Sequence, residues 1–364
     1  MKKLLFTLSL IMAFSAGCTT SVKKYPEVIK VYGERHHVQG IAFDKECNLL
    51  YSSFTSSFLK SGPDGELLGS ITGINGHLGA MTFDLSSRKA YASLEMKDDA
   101  IGRNISSALG MSGYTREQSR FYIAEIDVDK VDAPDTPFED AVILHEVKEA
   151  GKDYAAELEL NGVKMEHRYG CSGIDGVAVA PAFGKKKGHK NERYLYVGYG
   201  IYGDTTRTDN DYNILLCYSL DDLETPLHKY FIRTGNTTYG IQNMTYDDYS
   251  DRLYLAVYKG KKQENPNYSM FAVDLSQEPF LGKLEGVTYH DGEAEQVKFC
   301  EGWHFKWGSM GLCALGNAYF YISENGKENG RQYCNATLYR LTEGSDIPFE
   351  SMNQTRQQND KESY

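Results

Sequence analysis

The chain has 364 residues, a formal net charge of −11 and 41% hydrophobic residues, with 27 tyrosines and 16 phenylalanines. Its acidic balance excludes a nucleic-acid binder, because a phosphate backbone is held by excess Lys and Arg. The length leaves one large domain or two smaller ones open.

Residues 1–18 read as an export signal: Lys2 and Lys3, an apolar run from Leu4 to Phe14, then Ser15, Ala16, Gly17 and Cys18. The last four resemble a bacterial lipobox, in which the cysteine becomes the lipid-bearing first residue. That resemblance implies lipid attachment at Cys18, a polar tether over 19–24 and a periplasmic or cell-surface location. No later apolar run approaches the roughly 20 residues of a membrane span, so the membrane is reached only through the anchor.

Tyr25 to Tyr32 alternates like a strand but has no hairpin partner beside it. From there one pattern recurs: QGIAFDKECNLLYSSF (39–54), LGAMTFDLSSRKAYASLE (78–95) and TYGIQNMTYDDYSDRLYLAVYKG (238–260). Each holds an alternating apolar run, a polar turn and a second alternating run, which is the pattern of a β-hairpin. The first unit continues through Ser57–Lys60 and, after Pro63-Asp64-Gly65, Leu67–Ile71, making four short strands in about 40 residues, the size of a propeller blade. In the second unit a Gly, Ser and Asn-rich insertion, Lys97 to Gln118, precedes strands at Arg120–Val128 and Ala141–Val147. The third unit reads Gly173–Pro181, Tyr194–Gly203, Tyr212–Leu220 and KYFIRTG; the fourth adds Tyr268–Leu275 to its hairpin. A fifth, Gly311–Ser323 with Ala336–Leu341, lacks an outer strand, and Tyr25 to Tyr32 supplies it, because pairing across the termini removes exposed edges. The expectation is an all-β fold: a single β-propeller over 25–345 with five clear repeats, closed by an N-terminal strand and followed by a polar tail over 346–364.

In a blade, residues just before the inner strand and just after the second strand meet at one rim, where propeller ligands commonly sit. That rim collects His36, His37, Gln39, Asn75, His77, His167, Arg168, Tyr169, Asn236, Tyr239, Gln242, Trp303, His304 and Trp307, together with Glu95, Lys97, Asp98, Tyr199, Tyr202, Asp204, Arg207, Tyr258, Lys259 and Glu324. The opposite turns are acidic and polar. Aromatic faces for sugar rings, amides for hydroxyls and Arg168 for a carboxylate suit a uronate-containing glycan. Lys185, Lys186, Lys187 and Lys190 read as a solvated hairpin tip between Gly184 and Gly188. No cofactor is required. For metals, Cys300 with His290, His304 and Cys334 is the candidate structural zinc set, and Asp204, Thr208, Asp209 and Asp211 are candidate calcium ligands that miss the EF-hand register. Cys217 and Cys313 read as buried single thiols. A monomer is expected.

GHLG (76–79), MKDDAIG (96–102), HRYGCSGIDG (167–176), YGIYGDTTRTDNDY (199–212) and GNTTYGIQN (235–243) resemble the secreted seven-bladed propeller polysaccharide lyases of the ulvan lyase type, which share an architecture with a bacterial α-L-rhamnosidase family acting on rhamnose-glucuronate linkages. The resemblance implies seven blades. It also implies β-elimination: Arg168 neutralises the uronate carboxylate, and His77 with Tyr154, Tyr199 or Tyr202 supplies base and acid. His37, Asp98, Tyr239, Gln242, Asn243, Lys259 and Arg207 are the expected substrate contacts. In one departure Asp98 stands where the lyase motif has a second histidine, and a carboxylate there repels a uronate. The rhamnosidase alternative uses His36 or His37, of which only one can point inward from a strand; a non-catalytic glycan-binding propeller is the third reading.

Overall fold

The structure is a computed structural model that describes residues 25–33, 36–185, 192–342 and 344–353. The signal segment, Cys18, the tether, and Lys186, Lys187 and Lys190 lie outside the described residues. Among the described residues no helix is long and apolar enough to cross a membrane.

Five antiparallel sheets form a β-propeller, and each is numbered here in chain order as a blade. Blade one is Gly40–Asp44, Leu49–Ser53, Phe58–Ser61 and Leu67–Ile71; blade two is His77–Asp84, Lys89–Met96, Arg120–Asp127 and Val142–Glu146. Blade three is Cys171–Ala180, Tyr194–Ile201, Tyr212–Ser219 and His228–Arg233; blade four is Thr238–Asp247, Arg252–Tyr258, Met270–Asp274 and Phe299–Trp303. Blade five is Leu312–Gly316, Tyr319–Glu328 and Arg331–Leu341, with Val28–Tyr32 paired antiparallel to Arg331–Leu341. The inner strands touch one another in blade order, and that of blade five touches that of blade one.

The hairpins repeat because the same local chemistry repeats. Asp44 accepts the amides of Glu46 and Cys47, Asp84 that of Ser87 and Asp247 that of Ser250, the Asx-turn bond that lets a short polar side chain stand in for backbone. The residue ending each turn, Asn48, Arg88 or Asp251, has φ near +60°. Seven residues beyond each of these aspartates stands a buried tyrosine, Tyr51, Tyr91 and Tyr254, and Tyr196 and Tyr321 occupy the same place in the second strands of blades three and five. These rings join five apolar clusters, one for each blade-to-blade interface. The cluster holding Ile29 and Val31 seats the N-terminal strand against Leu50, Phe54 and Tyr321. Ile29→Asp places a charge where the native side chain is fully buried and is expected to lower unfolding stability by about 3 kcal/mol or more, read as a lower urea midpoint.

Four details correct the sequence reading. Five blades are found among the described residues, not the seven that the resemblance implies. The fifth sheet continues past residue 345, because Phe349–Ser351 pairs with Arg331–Leu341. The insertion after Lys97 contains a helix, Ala100–Ala108, whose first turn is capped by Asp99 accepting the Gly102 amide at 2.7 Å. Between the third and fourth strands of blade four the chain detours to blade three, where Ala294–Val297 runs parallel to His228–Arg233. Cys47, Cys171, Cys217, Cys300, Cys313 and Cys334 are all free thiols.

Candidate functional site

Three inner strands are interrupted at the same level. Their pairing with the second strand breaks register between Leu78 and Met81, between Ile174 and Val177, and on both sides of Ile241. Bulges of this kind re-aim side chains, and here they gather blades two, three and four at one mouth of the channel. Asp175, in the blade-three bulge, accepts a hydrogen bond at Oδ2 from Gln242 Nε2 at 2.8 Å. Gly79, in the blade-two bulge, leaves the space this needs: a Cβ there would lie 2.5 Å from Asp175 Oδ1.

Beneath Asp175 lies a buried ionic frame. Glu95 Oε1 accepts the Ile174 amide at 3.0 Å, and Oε2 lies 2.8 Å from Lys97 Nζ and 3.5 Å from His77 Nδ1. Lys97 Nζ also donates to the Ser172 carbonyl at 2.8 Å and stands 3.5 Å from Asp99. Glu95 and Lys97, from blade two, thus grip the two residues that flank Gly173 in blade three. Only glycine serves at that point, because φ is +128° and a Cβ would sit 1.9 Å from Glu95 Oε1.

The frame sets the charges. Burial alone would raise the Glu95 pKa, but Lys97 and His77 outweigh it and hold the carboxyl below its ordinary value. Burial likewise opposes the charge on Lys97 and on His77, yet Glu95 holds both pKa values above their ordinary levels, helped by Asp99 for Lys97 and by Asp175 for His77. Asp175 goes the other way: burial, then the charge of Glu95, push it up to about 7 against the pull of His77 and Lys97. Asp175 is nonetheless only half-buried. The mouth therefore holds a carboxyl poised near neutrality beside an imidazole whose pKa is raised by its anionic neighbours, the kind of pairing that suits general acid–base work.

Most of the sequence-derived residues border this frame. His37, exposed, lies 3.2 Å from Gln39 Nε2, and desolvation followed by the charge of His77 lowers its pKa. Asn243 is buried, with Nδ2 donating to the Gln39 carbonyl at 2.7 Å. Tyr239 is exposed, at φ +66°, and meets the edge of Tyr258 at 5.8 Å between centroids. Burial and then the charge of Asp175 raise the Tyr258 pKa. Tyr154 and Tyr202 flank His167 at 4.6 and 5.0 Å between centroids; burial pushes Tyr202 up to about 12 despite Lys97. Asp98 pairs with Arg103 of the insertion helix, and Lys259 is exposed.

Three residues are not brought there. Arg168 turns to Asp153, 3.2 Å away, because His167 and Tyr169 both adopt positive φ and swing the segment toward the helix Lys148–Ala155. Tyr199 is fully buried and donates to Asp153 at 3.0 Å. Arg207, 5% exposed, is spent on Asp209 and on the carbonyls of Glu166 and His167. The candidate zinc residues stand apart: His290 faces the Tyr169 hydroxyl, His304 packs on Tyr268 and Cys334 is buried in blade five. In the acidic loop Asp204 binds Thr206, Asp209 binds Arg207 and Asp211 binds Lys262. Among the described residues no group of three or more His, Cys, Asp or Glu could hold a metal ion.

The sequence reading missed Asp175 and did not single out Glu95 or Lys97 among the rim residues. The available signal was a lone carboxylate inside the apolar run Cys171–Ala180, where a burial cost must be offset by partners.

No family model matches the chain and no curated protein does. Among solved structures, a luciferin-regenerating enzyme aligns over 85% of this chain and 95% of its own, at 12% identity and a TM-score of 0.38. The soluble aldose sugar dehydrogenase from Escherichia coli aligns over 86% of this chain and 98% of its own, at 9% identity and a TM-score of 0.38.

Proposed function

We propose that the protein is a carbohydrate-active enzyme that cleaves a uronate-containing glycan by β-elimination, with Asp175 as the base. The observation that carries this reading is the Asp175 carboxyl, poised near neutral pH and half-open to the channel mouth beside His77, whose pKa is raised by Glu95 and Asp175. His77 Nδ1 faces Glu95 at 3.5 Å, and in this assignment its Nε2 N–H meets the ligand carboxylate. Ionised Asp175 takes the C5 proton; the C–H electrons form the C4–C5 double bond while the C4–O bond breaks. The departing oxygen takes a proton from Tyr258, whose raised pKa keeps the hydroxyl protonated. Tyr239 offers its exposed ring to a sugar face, and His37, Gln39 and Gln242 its hydroxyl partners. Arg168, held by Asp153, has no part in this assignment.

Hydrolysis, releasing rhamnose from a rhamnose-glucuronate linkage, is the second reading. It is favoured by one observation: Asp175 and Glu95 are carboxyls whose pKa values are pushed apart, the mark of an acid–base pair. Against it, both Glu95 oxygens are already bonded. The scaffold of either reading is a five-bladed ring sealed by Val28–Tyr32, tethered in the cell envelope through lipidated Cys18.

Incubation with ulvan or a glucuronate-containing oligosaccharide separates the readings. Elimination gives the ultraviolet absorbance of an unsaturated uronate without free rhamnose; hydrolysis gives saturated products and free rhamnose. Neither product, with measurable glycan binding, would leave a binding module.

A further inference from the structure

At the other end of the channel, where the inner strands run into their turns, all five blades line a cavity of about 260 Å³. The geometry points to a binding site there for one small sugar acid of monosaccharide size. This inference does not rest on the reaction assigned to Asp175, which belongs to the opposite mouth.

The lining supplies three kinds of partner. Its cations are Lys45 and Arg193. The Arg193 guanidinium lies 5.2 Å over the Tyr246 ring, and its planar fork has the shape that grips a carboxylate bidentately. Its acceptors are Asp84 and Asp248. Asp84 is held in place by Ser86 and Ser87 through Oδ2, and a carboxylate has lone pairs enough to accept a sugar hydroxyl as well. Its hydroxyls are Thr82 and Thr245, whose oxygens accept the amides of Val179 at 3.4 Å and Ala314 at 3.0 Å; each O–H remains able to donate. Phe43, Phe83 and Tyr246 add aromatic surface.

A cation for a carboxylate, carboxylates for hydroxyls and aromatic walls together match a sugar acid better than a neutral sugar or a simple anion. The volume is below the roughly 300–1,000 Å³ of drug-sized sites, which fits one ring. Cys313 also lines the cavity, but burial pushes its thiol up to about 11, so it is a passive wall.

The test is calorimetric titration of the mature chain at neutral pH with sodium glucuronate, glucose and glutamate as separate probes. Glucuronate is expected to bind, glucose at least about tenfold more weakly, and glutamate not at all. Arg193→Ala is expected to weaken glucuronate by about tenfold or more, as expected for loss of one charge-assisted contact, while glycan turnover is unchanged. Arg193→Lys, keeping the charge, restores part of the affinity and controls for folding. Absence of glucuronate binding overturns the inference. So does binding that survives Arg193→Ala, that Asp175→Asn removes, or that glutamate reproduces without glucuronate.

Discussion

Asp175→Asn is expected to lower kcat/KM on a uronate glycan by about 10²–10⁴-fold, the usual contribution of a positioned acid or base, with the fold intact. The amide keeps the bond to Gln242 available by a flip but cannot take a proton. Stability should move oppositely. The folded-state pKa of Asp175 is raised, so its contribution is fully present below the unfolded value near 3.9 and is lost as pH rises through about 7. At pH 8 the ionised wild-type side chain is therefore a burden that Asn removes. Asp175→Asn should be more stable there by on the order of 1–2 kcal/mol, after discounting for solvent contact, and no more stable at pH 4. Chemical denaturation at the two pH values reads this difference. An unchanged rate would remove Asp175 from the chemistry.

Glu95→Gln is expected to produce the largest loss of stability among single changes at this mouth. Glu95 is 5% exposed and is the common anion of Lys97 and His77; without it Lys97 keeps only the more distant Asp99 and His77 loses its nearest anion, and breaking a buried pair costs about 3–5 kcal/mol. The groups that then face one another are His77, Lys97, Asp99, Asp175 and Tyr202. Removing the Glu95 charge removes one of the forces that raise Asp175, so any residual activity should have its pH dependence displaced to lower pH. His77 loses its hydrogen-bonded anion and its pKa falls; the stability it contributes in the wild type is present below about 6.5 and lost as pH rises through its raised folded value. A variant that merely lost packing would lose stability without moving the pH profile. A urea midpoint within error of the wild type would contradict the role given to this frame.

The hairpins were legible because their cause is local. An aspartate that caps its own turn and a tyrosine at a fixed distance recur in the sequence as plainly as in the blades. The N-terminal strand was legible for a different reason: it alternates but has no hairpin partner beside it, and it pairs with Arg331–Leu341 at the far end of the chain. The detour over 276–298 was not, because its strands are short and pair with a blade left behind some 60 residues earlier. The rim was read from topology, and topology does place His37, His77, Tyr239, Gln242 and Asn243 together. It misplaced Arg168 and Tyr199 for physical reasons that periodicity does not carry. Positive φ at His167 and Tyr169 rotates Arg168 toward Asp153, and Tyr199 faces the blade interface, where its hydroxyl finds the same aspartate. Asp175 was missed because a bulge, not strand alternation, decides where it points.

The pH dependence of kcat/KM on a glucuronate-containing oligosaccharide, followed by unsaturated-product absorbance in wild type and in Asp175→Asn, tests the central claim most directly. With Asp175 as an ionised base the wild-type rate rises as pH passes through about 7, and Asp175→Asn abolishes that limb. A rate that falls through the same pH, with saturated products, would contradict elimination, and a profile identical in the two proteins would contradict the role of Asp175 altogether.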